Sequence, residues 1–292
     1  MVQDRPRLCL MMVHAHPDDE SIGTGGTFLR YAEQGVRTVL VCATAGEEGE
    51  IHDPDLDPVE ARPRLGEIRR RELACAARIL GIHAVELLGY RDSGMAGTPA
   101  NQRPDSFHQA DPTEAAARLV RLIRRYRPQV LVSYNARGFY GHPDHIKAYE
   151  VTRLAFERAG DPAFAPAAHL APWQPLKRYE TAVAHSTMMR WREIERQLDP
   201  GAAARQQEMG FDPDRLATPD EQITTRIDIR PYLTRRQEAI RCHRTQIPPD
   251  SPFLRPIPDE AVAAALGTEE YVLARSLVRT PPVEDDLFAG LR

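Results

Sequence analysis

An alternation of strand-like and helix-like hydrophobic patterns through the first half of the chain constrains its fold most. Residues 7–13 form a nearly continuous apolar run, as a strand buried on both faces requires. A helical stretch follows, with Ile22, Gly26 and Leu29 on one stripe and Gly35 placed to end it as a left-handed cap. Residues 38–43 (TVLVCA) read as a second strand, rich in β-branched side chains. Leu65, Ile68, Ala76 and Leu80 fit an amphipathic helix that Gly81 closes, and residues 85–88 form a short third strand. The next helix has a clear start, with Asp111 as N-cap, Pro112 at the first helical position and Glu114 at the capping-box position. Its buried stripe is Leu119, Leu122, Ile123 and Tyr126; Pro128 stops it, and residues 130–134 (VLVSY) are the fourth strand. The order β-α-β-α-β-α-β implies right-handed crossovers. The expected class is therefore α/β: a Rossmann-like, doubly wound, mostly parallel sheet with helices on both faces and a smaller C-terminal portion.

The second half is less regular. Residues 159–175, rich in Pro and Ala, read as a connection, 181–185 and 223–229 as further strands, and 201–220 as loop-rich. A helix is expected from Pro231 to about Arg244. We expect one domain over 1–292, with 1–160 as the sheet core and 161–292 completing the pocket.

Composition narrows the function classes. At 292 residues the chain buries a proper core, and its formal net charge of −4 argues against a partner held mainly through phosphates. No stretch approaches the roughly 20 apolar residues that cross a bilayer, and the short polar start carries no signal-peptide pattern. Neither a nucleic acid nor a membrane is expected as partner. Cys9, Cys42, Cys75 and Cys242 lie far apart without a C-x-x-C pair, so neither a disulfide framework nor a cysteine zinc cluster is expected, and a reducing cytoplasm fits.

The chemistry sits in two segments that echo each other. His16-Pro17-Asp18-Asp19-Glu20 follows the first strand, and His142-Pro143-Asp144-His145 follows the fourth. In both, His-Pro-Asp is expected to open a helix with proline at its first position. Residues i and i+3 share a helix face, so His16 with Asp19, and His142 with His145, can each aim at one spot. Two imidazoles and one carboxylate from these four make a three-ligand metal site with positions left open, suited to catalytic zinc and equally to a ferrous facial triad. In the doubly wound order 3-2-1-4-5-6, strands one and four are neighbours at the switch point, outside whose carboxyl ends ligands bind. Each motif alone is also compatible with a plain helix cap. His52, His83, His108 and His169 read as surface or structural histidines, and His14, one strand period from His16, is ambiguous. Gly23, Gly25 and Gly26 lack the G-x-G-x-x-G spacing, so close helix packing explains them better than a nucleotide does.

These motifs resemble the LmbE-like metal-dependent N-deacetylases, and within them the mycothiol-pathway branch that deacetylates N-acetylglucosaminyl inositol. The segments 46–50 (GEEGE), 91–98 (RDSGMAGT), 140–145 (YGHPDH) and 286–291 (DLFAGL) read like that branch, so the resemblance covers almost the whole chain, with 160–220 contributing little. It implies His16, Asp19 and His145 as Zn2+ ligands, with Fe2+ or another divalent ion as alternatives. It implies Asp18 as general base, His142 as a protonated or electrostatic partner, Tyr140 as carbonyl polariser, and Glu50, Arg69 and Asp92 as sugar- or inositol-binding positions. The stretch His243-Arg244-Thr245-Gln246 also looks familial, without an assigned role. The thiol-conjugate amidases of the branch tend to carry lysine four residues after the metal-binding aspartate, where this chain has Gly23.

The expected reaction removes acetyl from an N-acetylglucosamine-type small molecule, Asp18 taking a proton from a zinc-bound water and His142 protonating the departing amine. The alternatives are an amidase cleaving a bulkier thiol conjugate and, from another class, a ferrous facial-triad oxygenase or a metal-dependent binding module without turnover.

Overall fold

Among the described residues, seven strands form one mixed sheet in the order β3-β2-β1-β4-β5-β7-β6. The computed structural model describes residues 8–164, 167, 169–198, 201, 213–254 and 266–292. The strands are β1 (Cys9–His14), β2 (Arg37–Cys42), β3 (Ala84–Leu87), β4 (Val130–Ser133), β5 (Lys177–Ala182), β6 (Thr225–Asp228) and β7 (Thr268–Ser276). The principal helices are α1 (Asp19–Glu33), α2 (Leu65–Leu80), α3 (Pro112–Tyr126), α4 (Pro143–Arg158), α5 (His185–Leu198) and α6 (Leu233–Ile240). β3, β2, β1, β4 and β5 run parallel, while β7 pairs antiparallel with both β5 and β6.

The alternation of side chains along β1 explains why its apolar run is unbroken. Met11 and Val13 join the core formed with Leu119, Val120 and Ile123 of α3 and Val151 of α4. Leu10 and Met12 face the opposite layer, among Phe28 of α1, Leu73 and Leu80 of α2 and Leu233 of α6. A strand buried on both faces has no polar side to advertise. The strands expected in the first half are present to within two residues, and two expected helix ends form: the Asp111 side chain accepts a hydrogen bond from the Glu114 N–H at 2.8 Å, and Gly81 ends α2 at φ +69°. Gly26 carries the tight contact, since a Cβ there would meet Ile229 at 2.5 Å.

The second half departs from expectation. The strand expected at 181–185 lies earlier, at Lys177–Ala182, and His185 already begins α5. β5 opens with Lys177, whose buried Nζ donates to Glu284 Oε1 at 2.6 Å and to the Ala289 carbonyl at 3.1 Å. The nine-residue β7 had no forecast at all; it carries the buried Glu269 and Glu270. Glu269 accepts from the Gly26 and Thr27 N–H groups, so a polar pattern is buried with its partners supplied. The helix expected from Pro231 starts at Leu233 and ends at Ile240, and most of the 201–220 stretch lies outside the described residues.

The cysteine expectation is corrected in one respect: Cys75 of α2 and Cys242, just past α6, form a disulfide, while Cys9 and Cys42 are buried and take no part in it. The fold brings together two cysteines 167 residues apart, a separation at which sequence spacing carries no pairing signal. Among the described residues, no helix is long and apolar enough to cross a membrane.

Candidate metal centre

β1 and β4 are adjacent, Met11 lying opposite Leu131, so the segments leaving their carboxyl ends meet over the sheet edge. Both deliver histidines to one spot, but by different means. In the second segment His142 is the N-cap of α4 and its Nδ1 accepts the Asp144 N–H at 3.1 Å, with Pro143 at the first helical position as expected. The first segment differs from expectation: α1 begins at Asp19, and Pro17 precedes the helix. Asp18 is its N-cap at φ 124°, a region costing a non-glycine residue about 1–3 kcal/mol. That turn, rather than a shared helix face, brings the Asp19 Oδ2 to the His16 N–H at 2.9 Å.

The Asp19 carboxylate stands between two imidazoles. Its Oδ2 is 3.6 Å from His16 Nδ1 and its Oδ1 is 3.5 Å from His145 Nε2. Burial pushes the His145 pKa down to about 3 against the pull of Asp19, leaving the ring neutral. Burial opposes charge on Asp19 too, yet His145 and His16 hold its carboxyl well below the usual range. A neutral imidazole and an ionised carboxylate are the protonation states a metal ion requires. Neither nitrogen of the buried His145 ring has a hydrogen-bond partner, although the ring stacks on Tyr134 with centroids 4.1 Å apart. A buried, unsatisfied imidazole beside a carboxylate is the arrangement that a bound cation completes, so the residues present fit a divalent ion.

His16 Nε2 points the other way, 3.2 Å from Asp144 Oδ2 and 3.5 Å from Asp92 Oδ1. Burial disfavours charge on His16, but Asp92, Asp144 and Asp19 outweigh it and hold its pKa well above the ordinary value. Asp144, fully buried, also accepts the Ser93 N–H at 2.9 Å and the Ser93 hydroxyl. The sequence reading did not assign Asp144 a role, though it is the aspartate of the second His-Pro-Asp. His16, His142 and His145 also approach within metal-binding reach of one another, as do His16, Asp92 and Asp144. His142 has already committed Nδ1 to the helix cap, so Nε2 is its remaining ring nitrogen.

The other expected residues divide. Burial raises the Asp18 pKa to about 6, with Arg69 opposing and Asp19 adding to the rise. Arg69 is buried: Nη2 donates to the Pro17 carbonyl at 2.6 Å and to Asp18 Oδ2 at 3.2 Å, and Nη1 to the Gly46 carbonyl at 2.7 Å. It buttresses the Asp18 turn. Asp92 lies beside His16, with Oδ1 accepting the Gly94 N–H at 2.8 Å. Tyr140 is half exposed, its ring centroid 5.0 Å from that of His145. Glu50 is exposed and pairs with His52 at 2.6 Å, so the structure does not bring it to the cluster. Burial and then His16 lower the His142 pKa to about 4. His14 lies behind the cluster, bonded through Nε2 to Thr24 at 2.9 Å.

The model of the PIG-L family, described as GlcNAc-PI de-N-acetylase, matches residues 11–156, which include both histidine segments. The chain belongs to this family. Among its PIG-L relatives, the 1D-myo-inositol 2-acetamido-2-deoxy-alpha-D-glucopyranoside deacetylase 1 of Frankia alni is 43% identical over 294 residues, spanning 96% of this chain and 99% of the relative. The corresponding deacetylase of Thermobispora bispora is 46% identical over 272 residues, spanning 90% of this chain and 87% of its own. The N,N'-diacetylchitobiose deacetylase of Pyrococcus horikoshii shares the fold seen here at a TM-score of 0.59 and 22% identity, with 87% of this chain and 79% of that one covered.

Proposed function

We propose that this PIG-L protein is a divalent-metal hydrolase, with zinc as its ion, that removes the acetyl group from an N-acetylglucosaminyl inositol. The observation that carries the proposal is the Asp19 carboxylate standing between His16 Nδ1 and His145 Nε2, with both His145 nitrogens otherwise unsatisfied. The substrate follows from the two relatives, whose names specify that sugar and which align along nearly the whole chain.

His16 through Nδ1, Asp19 and His145 through Nε2 would hold the ion. Bound there, a divalent ion supplies Lewis acidity and brings the pKa of water toward about 7. The chain's own groups do the rest. Asp18, with a pKa of about 6, accepts the proton of the attacking water and is matched to work near neutrality. Tyr140 offers its hydroxyl to the acetamide oxygen as charge gathers there. His142 presents Nε2 beside the same centre, and the proton collected by Asp18 leaves with the amine nitrogen. One amide bond is exchanged for acetate and a free amino sugar.

Incubating the zinc-loaded protein with N-acetylglucosaminyl inositol should release acetate, and a chelator should abolish the release. Acetate release unaffected by metal removal would overturn the mechanism. Turnover of a thiol S-conjugate with none of the acetylated sugar would replace the substrate.

A further inference from the structure

Glu20 and His243 form a buried pair that the reaction as described does not use. Both side chains are fully buried, and His243 Nε2 donates to Glu20 Oε1 at 2.7 Å. The same oxygen accepts the Ser21 hydroxyl at 2.6 Å. The other carboxylate oxygen, Oε2, accepts the backbone N–H of Asp18 at 2.9 Å. His243 arrives from the far end of the chain, on a turn held by two further links. Cys242 beside it is bonded to Cys75, and Thr245 donates through its N–H and hydroxyl to the buried Glu72 at 2.8 and 2.7 Å. Three anchors on α1 and α2 thus converge on the turn that carries His243.

What this assembly grips is the Asp18 backbone. Asp18 sits at φ 124°, so its peptide orientation is not one the chain adopts unaided. Its carbonyl is engaged by the Ser21 and Ile22 N–H groups at 3.0 Å each, and Arg69 donates to the side chain at 3.2 Å. The N–H is the remaining handle, and Glu20 takes it. A carboxylate placed in a fully buried site needs a cationic or strongly donating partner to stay there. His243 supplies it.

We infer that the Glu20–His243 pair is a positioning device that holds Asp18 in its strained backbone conformation and so fixes where its carboxylate stands. The inference rests on Asp18 being the base, and the role it assigns to His243 gives the His243–Gln246 stretch a function. Neither residue touches substrate; both act through Asp18.

The test is a double-mutant cycle on the zinc-loaded protein, read as kcat, KM and metal content. Glu20→Ala should lower kcat by on the order of 10- to 100-fold, the scale of a catalytic group misplaced by about 1 Å, while KM and zinc stoichiometry stay near wild type. Made in an Asp18→Asn background, the same change should lower kcat by less than about two-fold, because its route of action is already gone. If Glu20→Ala yields no folded protein, His243→Gln and His243→Leu make the same comparison. Glutamine keeps an N–H donor for Glu20 and should restore most of the turnover that leucine loses. Losses that multiply in the double mutant overturn the positioning role and leave Asp18 as base. Full turnover in Asp18→Asn alone overturns the base and the positioning role together. Zinc loss in Glu20→Ala also overturns it, since the pair would then be holding Asp19.

Discussion

Asp144 Oδ2 lies 3.2 Å from His16 Nε2, joining the two His-Pro-Asp segments across 128 residues. The contact decides which nitrogen of His16 is available. A carboxylate accepting from Nε2–H leaves Nδ1 facing Asp19 and raises the basicity of the ring, as carboxylates behind metal-binding histidines do. Asp144→Asn should therefore weaken zinc affinity by about 10- to 100-fold with the three ligands themselves unchanged. Competition with a chelator of known affinity measures it, and an unchanged affinity would place the ion elsewhere.

The neighbouring aspartates should separate cleanly. Asp19 lies between the two imidazoles, whereas Asp18 is turned toward Arg69. Asp19→Asn should lose zinc, with activity partly restored at high zinc. Asp18→Asn should keep zinc and lower kcat by on the order of 10²- to 10⁴-fold, with no rescue by added metal. Metal titration alongside kcat on both variants decides it, and zinc loss in Asp18→Asn would reverse the roles.

What could be read in advance follows from how each residue announces itself. The first half was legible because β1, β2 and β4 are buried on both faces and its helices carry explicit caps such as Asp111 and Gly81. The convergence of His16, Asp19 and His145 was legible because ligand types recur at short spacing after strands that the topology makes neighbours. β5 and β7 were hidden because Lys177, Glu269 and Glu270 are charged yet buried, and their partners Glu284, Gly26 and Ala184 are remote in sequence. The Cys75–Cys242 disulfide and the Glu20–His243 pair were hidden for the same reason. The exposed position of Glu50 beside His52 could not be read in advance, because a motif identifies a residue type without telling where a loop points it.

The Cys75–Cys242 link closes a loop long enough for a large effect on the unfolded chain. Replacing both cysteines by serine should reduce unfolding stability by about 2–4 kcal/mol. Denaturant melts of wild type with and without reductant give an independent reading: reductant should lower the wild-type midpoint and leave that of the double variant unmoved. An equal response from both would show that the link does not form in solution.

Stability should also depend on pH through His243. Burial disfavours its charged form, but Glu20 outweighs burial and raises its pKa above the ordinary 6.5. A group bound more tightly to its proton in the folded than in the unfolded chain stabilises the fold fully below the unfolded pKa, here 6.5. That stabilisation is lost as the pH climbs from there through the raised, folded value. In His243→Gln the contribution is absent at every pH. The stability difference between wild type and His243→Gln, measured by urea denaturation, should therefore shrink steadily as the pH rises above about 6.5. A difference that is flat across that window would show that His243 is neutral in the folded protein, donating to Glu20 through Nε2–H without carrying charge.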